Sequence, residues 1–441
     1  RQKVQVNVLK KEKDSDKVLS GAIFGLFAAK DITSASGKVL IEKDTIIELK
    51  TTDESGWIHF MADLPINAKY YLKEIYAPNG YVRGTEIQEF TFEYQGDKTT
   101  QAVYEFTFED VQTSVELSKA DLTDGKELPG ASLQVLDSTG TVVEEWISTE
   151  EPHMIRGLLV GETYILVETK PADGYTTAES IEFKVEDTAE VQKHQMLDDV
   201  TKVEISKTDM TDSKEVPGAK LTILDKDGKV VESWVSDKDP HMVEKLPVGT
   251  YTLREEQAPD GYLIAEEVSF EVKDTGEIQK AEMKDARPVG KLVLKKTDAE
   301  DGSPLAGAEF ELRIKKSGKA VATLVTDEDG VATSGDIPIA TYKDGKMKKE
   351  IEYILVETKA PEGYVRSEKE ENVVFEYKDD KTKEIEITKE LTNERIPTGG
   401  YVKSPKTGDD TNIWLPILLL VLSVGGIAGI FWYTKKKNHE E

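Results

Sequence analysis

A domain-sized internal repeat constrains the fold of this chain more than any other feature. Lysine, glycine, tryptophan and histidine occur in that order at Lys119, Gly130, Trp146 and His153, and again 88 positions later at Lys207, Gly218, Trp234 and His241. The same lysine-to-glycine spacing of 11 opens two further segments, at Lys10 and Gly21 and at Lys296 and Gly307. A period of this size is longer than a solenoid repeat and matches a small whole domain. The sequence therefore predicts four related domains in tandem.

A second element recurs in the C-terminal half of each repeat. It is a short strand-like segment that contains a glutamate and is followed by a turn ending in Gly-Tyr. The glutamates are Glu74, Glu168, Glu255 and Glu357, and the turns are Asn79-Gly80-Tyr81, Asp173-Gly174-Tyr175, Asp260-Gly261-Tyr262 and Glu362-Gly363-Tyr364. Two elements in a fixed order in every repeat indicate that the four repeats share one fold.

The segments between these elements have the pattern of an all-β protein. Short runs of alternating apolar and polar residues are separated by turn signals such as Asp227-Gly228 and Asp329-Gly330. This pattern is typical of an antiparallel sandwich. We therefore predict four tandem antiparallel immunoglobulin-like β-sandwich domains at residues 1–112, 113–200, 201–286 and 287–396.

Parity along the first strand of each repeat places a lysine on the buried face. Side chains alternate between the two faces of a strand, so Val203, Ile205 and Lys207 share one face. The same parity holds for the other three lysines, which are Lys10, Lys119 and Lys296. Because burying a lone charge is costly, each lysine is expected to have a partner or to lose its charge.

Parity also turns acidic or amide side chains inward. Glu255 shares a face with Tyr251 and Leu253, and the last strand of each repeat ends in an inward-facing residue. These last-strand residues are Asp110, Asp198, Asp285 and Asn393. Desolvation lowers the pKa of a lysine and raises that of a carboxyl, which gives a neutral amine beside a neutral carboxyl. That state permits nucleophilic attack, and a protonated glutamate could polarise the carbonyl and transfer protons.

A competing interpretation is that each lysine extends from a strand end into water and each acid caps a turn. In the second repeat Asp199 competes with Asp198 for the last-strand role. The nine-residue separation of Asp198 from Lys207, which equals that of Asp110 from Lys119, favours Asp198.

The outer repeats depart from the common pattern. In the first repeat Lys11 adjoins Lys10, and Glu12 stands where the others have an aspartate two residues after the lysine, at Asp121, Asp209 and Asp298. The fourth repeat contains an insertion, because 102 positions rather than 87 separate its glutamate from the preceding one.

The recurring elements together resemble the Cna B-type, or SpaA-type prealbumin-like, domains of Gram-positive adhesins and pilins. The resemblance covers about residues 4–396. It implies prealbumin-like sandwiches, each locked by an isopeptide bond that forms autocatalytically beside a glutamate. The implied sets are Lys10–Asp110 with Glu74, Lys119–Asp198 with Glu168, Lys207–Asp285 with Glu255, and Lys296–Asn393 with Glu357. Bonds to aspartate would release water, and the bond to asparagine would release ammonia.

The C-terminal segment predicts a membrane span. Residues 413–434 carry no charge, and 22 residues suffice for a helix to cross a hydrocarbon core of about 30 Å. Lys435, Lys436 and Lys437 begin a basic tail, residues 435–441, which is expected to remain cytoplasmic while the repeats lie outside. Gly399 and Gly400 indicate a flexible stem at residues 397–412.

A pentapeptide within that stem resembles the LPXTG-like cell-wall sorting signal of Gram-positive surface proteins. It is Ser404-Pro405-Lys406-Thr407-Gly408, with serine in place of the usual leucine. The resemblance implies that a sortase cleaves between Thr407 and Gly408 and joins Thr407 to a cell-wall peptide amine or a pilin lysine. The membrane helix would then hold the chain at the surface only until it is sorted.

Composition bounds the remaining possibilities. The 441 residues carry a net charge of −28, which argues against nucleic acid as a partner, and contain no cysteine. An extracellular chain without disulfides needs another means of stabilisation. The five histidines show no zinc spacing, and no metal or cofactor is expected. No signal peptide is visible at Arg1, so the chain is expected to be the C-terminal part of a longer precursor, or a processed form.

The sequence thus favours a cell-wall-anchored stalk that carries an adhesin, rather than an enzyme with turnover. We expect it to be a substrate of sortase that crosslinks itself once. The alternative is a minor pilin or adhesin module that binds a host, matrix or partner protein, with the longer first domain as the expected contact.

Overall fold

The computed structural model describes residues 2–397, which form β-strands, turns and loops without a helix. The expected sorting motif, membrane helix and basic tail, together with residues 398–412 of the stem, lie outside this range. Within it, no segment has the length and apolar character of a membrane-spanning helix.

Strands of four to ten residues build each of the four repeats, with a few shorter pieces. The first repeat contains β1 (Lys3–Glu12), β2 (Ile23–Ala28), β3 (Ile32–Thr33), β4 (Val39–Ile41), β5 (Ile46–Thr51), β6 (Trp57–Phe60), β7 (Lys69–Tyr76), β8 (Ile87–Thr91) and β9 (Gln101–Asp110). The second contains β10 (Ser114–Asp121), β11 (Ser132–Leu136), β12 (Val142–Ile147), β13 (His153–Arg156), β14 (Thr163–Lys170), β15 (Ile181–Lys184) and β16 (Gln192–Asp198).

The third and fourth repeats follow the same order. The third contains β17 (Lys202–Asp209), β18 (Lys220–Leu224), β19 (Val230–Val235), β20 (His241–Glu244), β21 (Gly249–Gln257), β22 (Val268–Val272) and β23 (Ile278–Asp285). The fourth contains β24 (Val289–Asp298), β25 (Glu309–Ile314), β26 (Ala320–Val325), β27 (Val331–Thr333), β28 (Ile337–Pro338), β29 (Ala340–Lys343), β30 (Lys346–Glu350), β31 (Glu352–Lys359), β32 (Glu371–Val374) and β33 (Glu384–Asn393).

Each repeat is a sandwich of two sheets around its own apolar core. In the second repeat one sheet has the order β13-β10-β16 and the other the order β12-β11-β14-β15, and the third repeat matches it strand for strand. Val115 and Leu117 from the first sheet pack with Leu133 and Val135 from the second. These four side chains alternate with polar residues along their strands, so the period of two read from the sequence sets the core.

The prediction of purely antiparallel sandwiches is wrong in one respect. The first and last strands of every repeat pair in parallel, as β1 with β9, β10 with β16, β17 with β23 and β24 with β33. Parallel neighbours need a crossover, and the chain makes it by passing through the other sheet. The alternation of apolar and polar residues indicates which face of a strand is buried. It does not indicate whether the neighbouring strand runs parallel or antiparallel.

Successive sandwiches contact one another through their Gly-Tyr turns. The second sandwich abuts the third at Gly174, whose φ is +86° and where an added Cβ would lie 2.4 Å from the Lys245 carbonyl oxygen. Thr201 joins both sides, since its hydroxyl donates to the Leu246 carbonyl and contacts that of Gly174. Gly80 meets Gly157 in the same way between the first and second sandwiches. Each of these turns therefore contacts the next sandwich along the chain.

The insertion in the fourth repeat forms a hairpin, β29–β30, that packs on the third sandwich. Tyr342 of this hairpin donates its hydroxyl to the Gly261 carbonyl at 2.5 Å. Its ring lies 4.0 Å from the guanidinium of Arg287 and packs edge-on against Tyr262. Met347 of the hairpin covers Gly261. At this junction the extra residues thus supply the contact with the Gly-Tyr turn.

We expect Gly174→Ala to loosen the junction between the second and third sandwiches. The methyl group would collide with the Lys245 backbone, and the positive φ is itself unfavourable for alanine. Proteolysis in the connection at residues 199–202 should accelerate, and small-angle X-ray scattering should show a broader distribution of interdomain angles.

Gly363→Ala is the matched control, because Gly363 has a φ of +85° in the equivalent turn and nothing within 4 Å of the added Cβ. It reproduces the turn strain without the collision. Equal behaviour of the two variants would contradict the proposed role of Gly174 in docking.

Candidate functional site

Each sandwich buries one lysine, one glutamate and one aspartate or asparagine between its two sheets. The lysine lies near the end of the first strand, the aspartate or asparagine ends the last strand, and the glutamate reaches across from the opposite sheet. None of the twelve side chains, which are Lys10, Glu74, Asp110, Lys119, Glu168, Asp198, Lys207, Glu255, Asp285, Lys296, Glu357 and Asn393, is more than 5% exposed. The burial expected from strand parity is confirmed for all of them.

The parallel pairing of first and last strands determines which residues meet. In the third sandwich Lys207 lies opposite Met283 and Asp209 lies opposite Asp285. Since neighbours two residues apart share a face, Lys207 and Asp285 are diagonal neighbours on the inner face. An antiparallel pair would have placed the end of the last strand beside the start of the first, far from the lysine.

In the first three sandwiches the lysine contacts both acids. In the first, Lys10 Nζ lies 2.5 Å from Asp110 Oδ1 and 3.0 Å from Glu74 Oε1. In the second and third, the lysine Nζ contacts Asp198 or Asp285 and lies 2.9 Å from Glu168 Oε1 or 3.0 Å from Glu255 Oε1. In these three sandwiches the amine therefore lies against both carboxyl groups.

The fourth sandwich brings the same side chains together in another arrangement. Lys296 Nζ lies 3.5 Å from Glu357 Oε1 and donates to the Thr392 carbonyl at 3.0 Å. Asn393 Nδ2 donates to Glu357 Oε1 at 2.9 Å. The glutamate thus contacts both side chains and stands between them.

Burial is the largest influence on the carboxyl groups of these sites. It raises the pKa of Glu74, Asp198 and Asp285 to about 7 each, against the opposing charge of the neighbouring lysine. It also raises the pKa of Asp110 and lowers the pKa of Lys296. These shifts favour uncharged groups, which is the condition for an amine to act as a nucleophile on a carboxyl.

Apolar side chains supply this environment. In the first sandwich Phe24 lies on the strand beside Glu74, and its ring centroid is 5.4 Å from Lys10 Nζ. Phe310 has the same relation to Lys296 in the fourth, and leucines take this position in the second and third. With water excluded, the polar atoms of the site have mainly each other as partners.

The structure also separates the candidates that the sequence left open. Asp198 contacts Lys119, whereas Asp199 pairs with Lys202 at 2.9 Å. Lys11 lies 3.5 Å from Asp16 on the surface and does not enter the first site.

A second set of side chains, at the Gly-Tyr turn, was not predicted as a unit. Tyr175 donates to Asp121 Oδ2 at 2.7 Å, and Lys245 of the next sandwich donates to the Tyr175 hydroxyl at 2.6 Å. Burial tends to raise the pKa of Asp121, but hydrogen bonds from Tyr175, the Thr123 amide and Lys245 outweigh it and lower the pKa to about 2. This aspartate is therefore ionised.

The same set recurs with different cations. Arg287 contacts Asp209 beside Tyr262, and Arg395 contacts Asp298 beside Tyr364. In the first sandwich Lys17 donates to Tyr81 and lies 3.6 Å from Glu12. The recurring acidic residue and the Gly-Tyr turn were visible in the sequence, but the cation was not, because each repeat takes it from a different segment.

His153 and His241 are used in packing. His153 stacks on Trp146 with ring centroids 4.2 Å apart, and His241 stacks on Trp234 at 4.4 Å. Their Nε2 atoms lie near Glu144 and Glu232. No group of histidine and acidic side chains within residues 2–397 is arranged to hold a metal ion.

Known proteins share this domain. The profile of the SpaA prealbumin-like fold domain matches residues 4–105, 113–199, 201–287 and 290–391. No curated protein matches the chain. Among solved structures it is similar to the Bacillus anthracis TIE protein, with 22% identity, a TM-score of 0.45 and coverage of 87% of this chain and 73% of that one.

Two pilins are also similar. BcpA, the major pilin subunit of Bacillus cereus, is 18% identical over 90% of this chain and 100% of its own, with a TM-score of 0.21. The shaft pilin SpaA of Lactobacillus rhamnosus GG is 16% identical over 45% of this chain and 98% of its own, with a TM-score of 0.22. Because the domain profile matches most of the chain, in four successive copies, the chain belongs to the SpaA prealbumin-like domain family.

Proposed function

We propose that this chain is the stalk of a Gram-positive surface adhesin or pilus-like structure, anchored to the cell wall and stiffened by one isopeptide bond in each sandwich. The observation that carries the proposal is the fourfold recurrence of a buried lysine, glutamate and aspartate or asparagine at equivalent positions. A single buried set of this kind can be explained as an ordinary ion pair. Four sets at equivalent positions, three of them with matching contacts, indicate a shared chemistry.

The proposed reaction joins lysine Nζ to the carboxyl carbon of its partner. In the third sandwich the neutral Lys207 amine attacks Cγ of Asp285, the Nζ–Cγ bond forms, and one oxygen leaves as water with two protons. In the fourth, Lys296 attacks Cγ of Asn393 and the Nδ2 group leaves as ammonia. The glutamate gives a proton to the leaving group and receives one from the amine, so it is unchanged at the end.

The fold supplies what this chemistry requires without a cofactor. Holding two reacting groups in contact can lower a barrier by about 7–11 kcal/mol. The burial that raises the carboxyl pKa values keeps the electrophile neutral. Each site reacts once, so the chain acts on itself and has no turnover.

The crosslink would protect a chain under tension. It joins the first strand of a sandwich to the last, so residues 120–197 of the second sandwich would lie outside the path of the load. A covalent link closing a loop of this length stabilises a domain by roughly 4–5 kcal/mol in the chain-entropy description used for disulfides. In a chain without cysteine, the isopeptide bond would take the place of the disulfide.

Attachment to the wall is the second part of the proposal. Sortase would cleave between Thr407 and Gly408 and transfer Thr407 to a cell-wall peptide amine or a pilin lysine. The uncharged segment 413–434 would hold the chain in the membrane only until that transfer. A covalent anchor suits a stalk whose domains are themselves covalently closed.

A second candidate is an adhesin or minor pilin module whose first sandwich binds a host, matrix or partner protein. Large apolar side chains are exposed on that sandwich, with Leu40 60%, Leu49 51% and Met61 57% exposed. The ribbon β3–β4, which carries Leu40, has no counterpart in the second and third sandwiches. The two candidates are compatible, because a stalk can also bind.

We expect the mass of the chain to be lower than the sequence mass by three molecules of water and one of ammonia. Intact-mass spectrometry measures this directly, and peptide mapping assigns each loss to its pair. Glu255→Gln should restore one water, because it removes the transferable proton from the third site alone. Glu256→Gln, on the outward face of the same strand, should leave the losses unchanged. A mass equal to the sequence value would contradict crosslinking.

Bond formation should slow as the pH rises above about 7. The aspartate must be uncharged to be attacked, and raising the pH through the pKa of about 7 of Asp198 or Asp285 ionises this carboxyl, which makes it a poor electrophile. The rate should then fall about tenfold per pH unit. Newly synthesised chain, transferred to buffers of different pH and sampled by peptide mass spectrometry, gives the profile. A rate that rises with pH would contradict attack on a neutral carboxyl.

Thr407→Ala should leave the chain in the membrane fraction instead of the cell wall. The measurement is the fraction released by a peptidoglycan hydrolase from a sortase-bearing Gram-positive host. Lys406→Ala is the control, because it occupies the variable position of the LPXTG-like pattern and should be sorted normally. Continued covalent attachment of the Thr407→Ala chain to peptidoglycan would exclude Thr407 as the joining residue.

A further inference from the structure

One backbone N–H group points at the glutamate of every site. Gly84 N donates to Glu74 Oε2 at 2.7 Å, Ala178 N to Glu168 Oε2 at 2.7 Å, Ala265 N to Glu255 Oε2 at 2.6 Å and Ser367 N to Glu357 Oε2 at 2.6 Å. All four donors lie ten residues after their glutamate, in the loop that follows the Gly-Tyr turn. The contact is therefore part of the shared fold.

The other glutamate oxygen, Oε1, faces the reacting groups. It lies 3.0, 2.9 and 3.0 Å from the lysine Nζ in the first three sites and 3.5 Å in the fourth. In the first three sites Oε1 has no hydrogen-bond partner, and neither has Oδ2 of the aspartate. Two buried oxygens without a hydrogen bond in one site are explained if one of them carries a proton.

We propose that this backbone N–H is a positioning group that determines which glutamate oxygen transfers the proton. The inference rests on the proposed isopeptide chemistry. An oxygen that accepts a hydrogen bond from a fixed amide is favoured as the acceptor, so the carboxylic proton resides on Oε1. There it faces the lysine and its partner carboxyl or amide.

The fourth site supports this division of roles. Asn393 Nδ2, the group that leaves as ammonia, contacts Glu357 Oε1 at 2.9 Å, while Oε2 is held by the Ser367 amide. In all four sites Oε1 is thus the glutamate oxygen that faces the reacting groups, and under the proposal it gives a proton to the leaving group and takes the proton that the amine releases. The exchange leaves the glutamate as it began, with Nζ joined to Cγ and water or ammonia released.

Because the donor is a backbone group, the role does not require one particular side chain. The four positions hold the small residues glycine, alanine, alanine and serine. Proline, which lacks the N–H, would be incompatible with the role. At Gly84 an added Cβ would lie 3.2 Å from Asp110 Oδ1 and Glu74 Oε2, so space beside the site is narrow there.

The test replaces the peptide N–H of Ala265 by an ester oxygen, using lactic acid at this position in the full chain made by cell-free translation. The third crosslink should form at least about tenfold more slowly, while the other three crosslinks of the same molecule form at their normal rates. The pH at which the rate of the third crosslink declines should also change, because the charge of Glu255 is one of the causes that raise the pKa of Asp285.

Two further variants complete the design. Ala265→Gly keeps the N–H and should crosslink at the normal rate, and the ester at Ala178 should transfer the defect to the second sandwich alone. An unchanged rate for the Ala265 ester would overturn the positioning role, as would equal slowing at every pH. If the unsubstituted chain forms no crosslink at all, the proposed function itself is wrong.

Discussion

The cost of burying a lysine between two acids governs this structure. As an ion pair, such a group stabilises a fold little, because desolvation of the charges offsets their attraction. Burial instead raises the pKa of Asp198 and Asp285 and so favours uncharged partners. An amide bond would remove both charges permanently and leave a neutral group in an apolar core. Under the proposed chemistry, the feature that is unfavourable in the unreacted domain becomes its covalent closure.

Strand direction decides whether this closure is possible. The lysine lies near the end of the first strand and its partner at the end of the last, so they meet only if the two strands run in parallel. The crossover through the second sheet produces this arrangement and also brings the glutamate in from the opposite side. One topological feature therefore positions all three side chains. It also places the start of the first strand and the end of the last at opposite ends of the strand pair, so tension would shear one strand against the other.

The burial of the site residues could be predicted from the sequence, whereas the pairing of the strands could not, because burial depends on near neighbours in the chain and pairing does not. Strand parity is local, so the burial of Lys207 and Glu255 followed from a few neighbours. The partner of a strand is not local, and the parallel pairing was missed. Backbone donors such as Ala265 N leave no residue signature, because any residue except proline supplies an N–H. The cations at the junctions come from segments that differ between repeats, such as Lys245 and Arg287, so repetition did not reveal them.

Two buried or half-buried Lys–Asp contacts show that environment, not proximity, separates a candidate crosslink from an ionic pair. Lys245 lies 3.2 Å from Asp121, but this aspartate accepts several hydrogen bonds and its pKa is lowered to about 2. Asp198 contacts Lys119 with its other oxygen lacking a partner, and its pKa is raised to about 7. The first pair stays charged and joins neighbouring domains reversibly. Hydrogen-bond donors to the aspartate therefore distinguish the salt bridge between sandwiches, which has several, from the candidate crosslink within a sandwich, which has few.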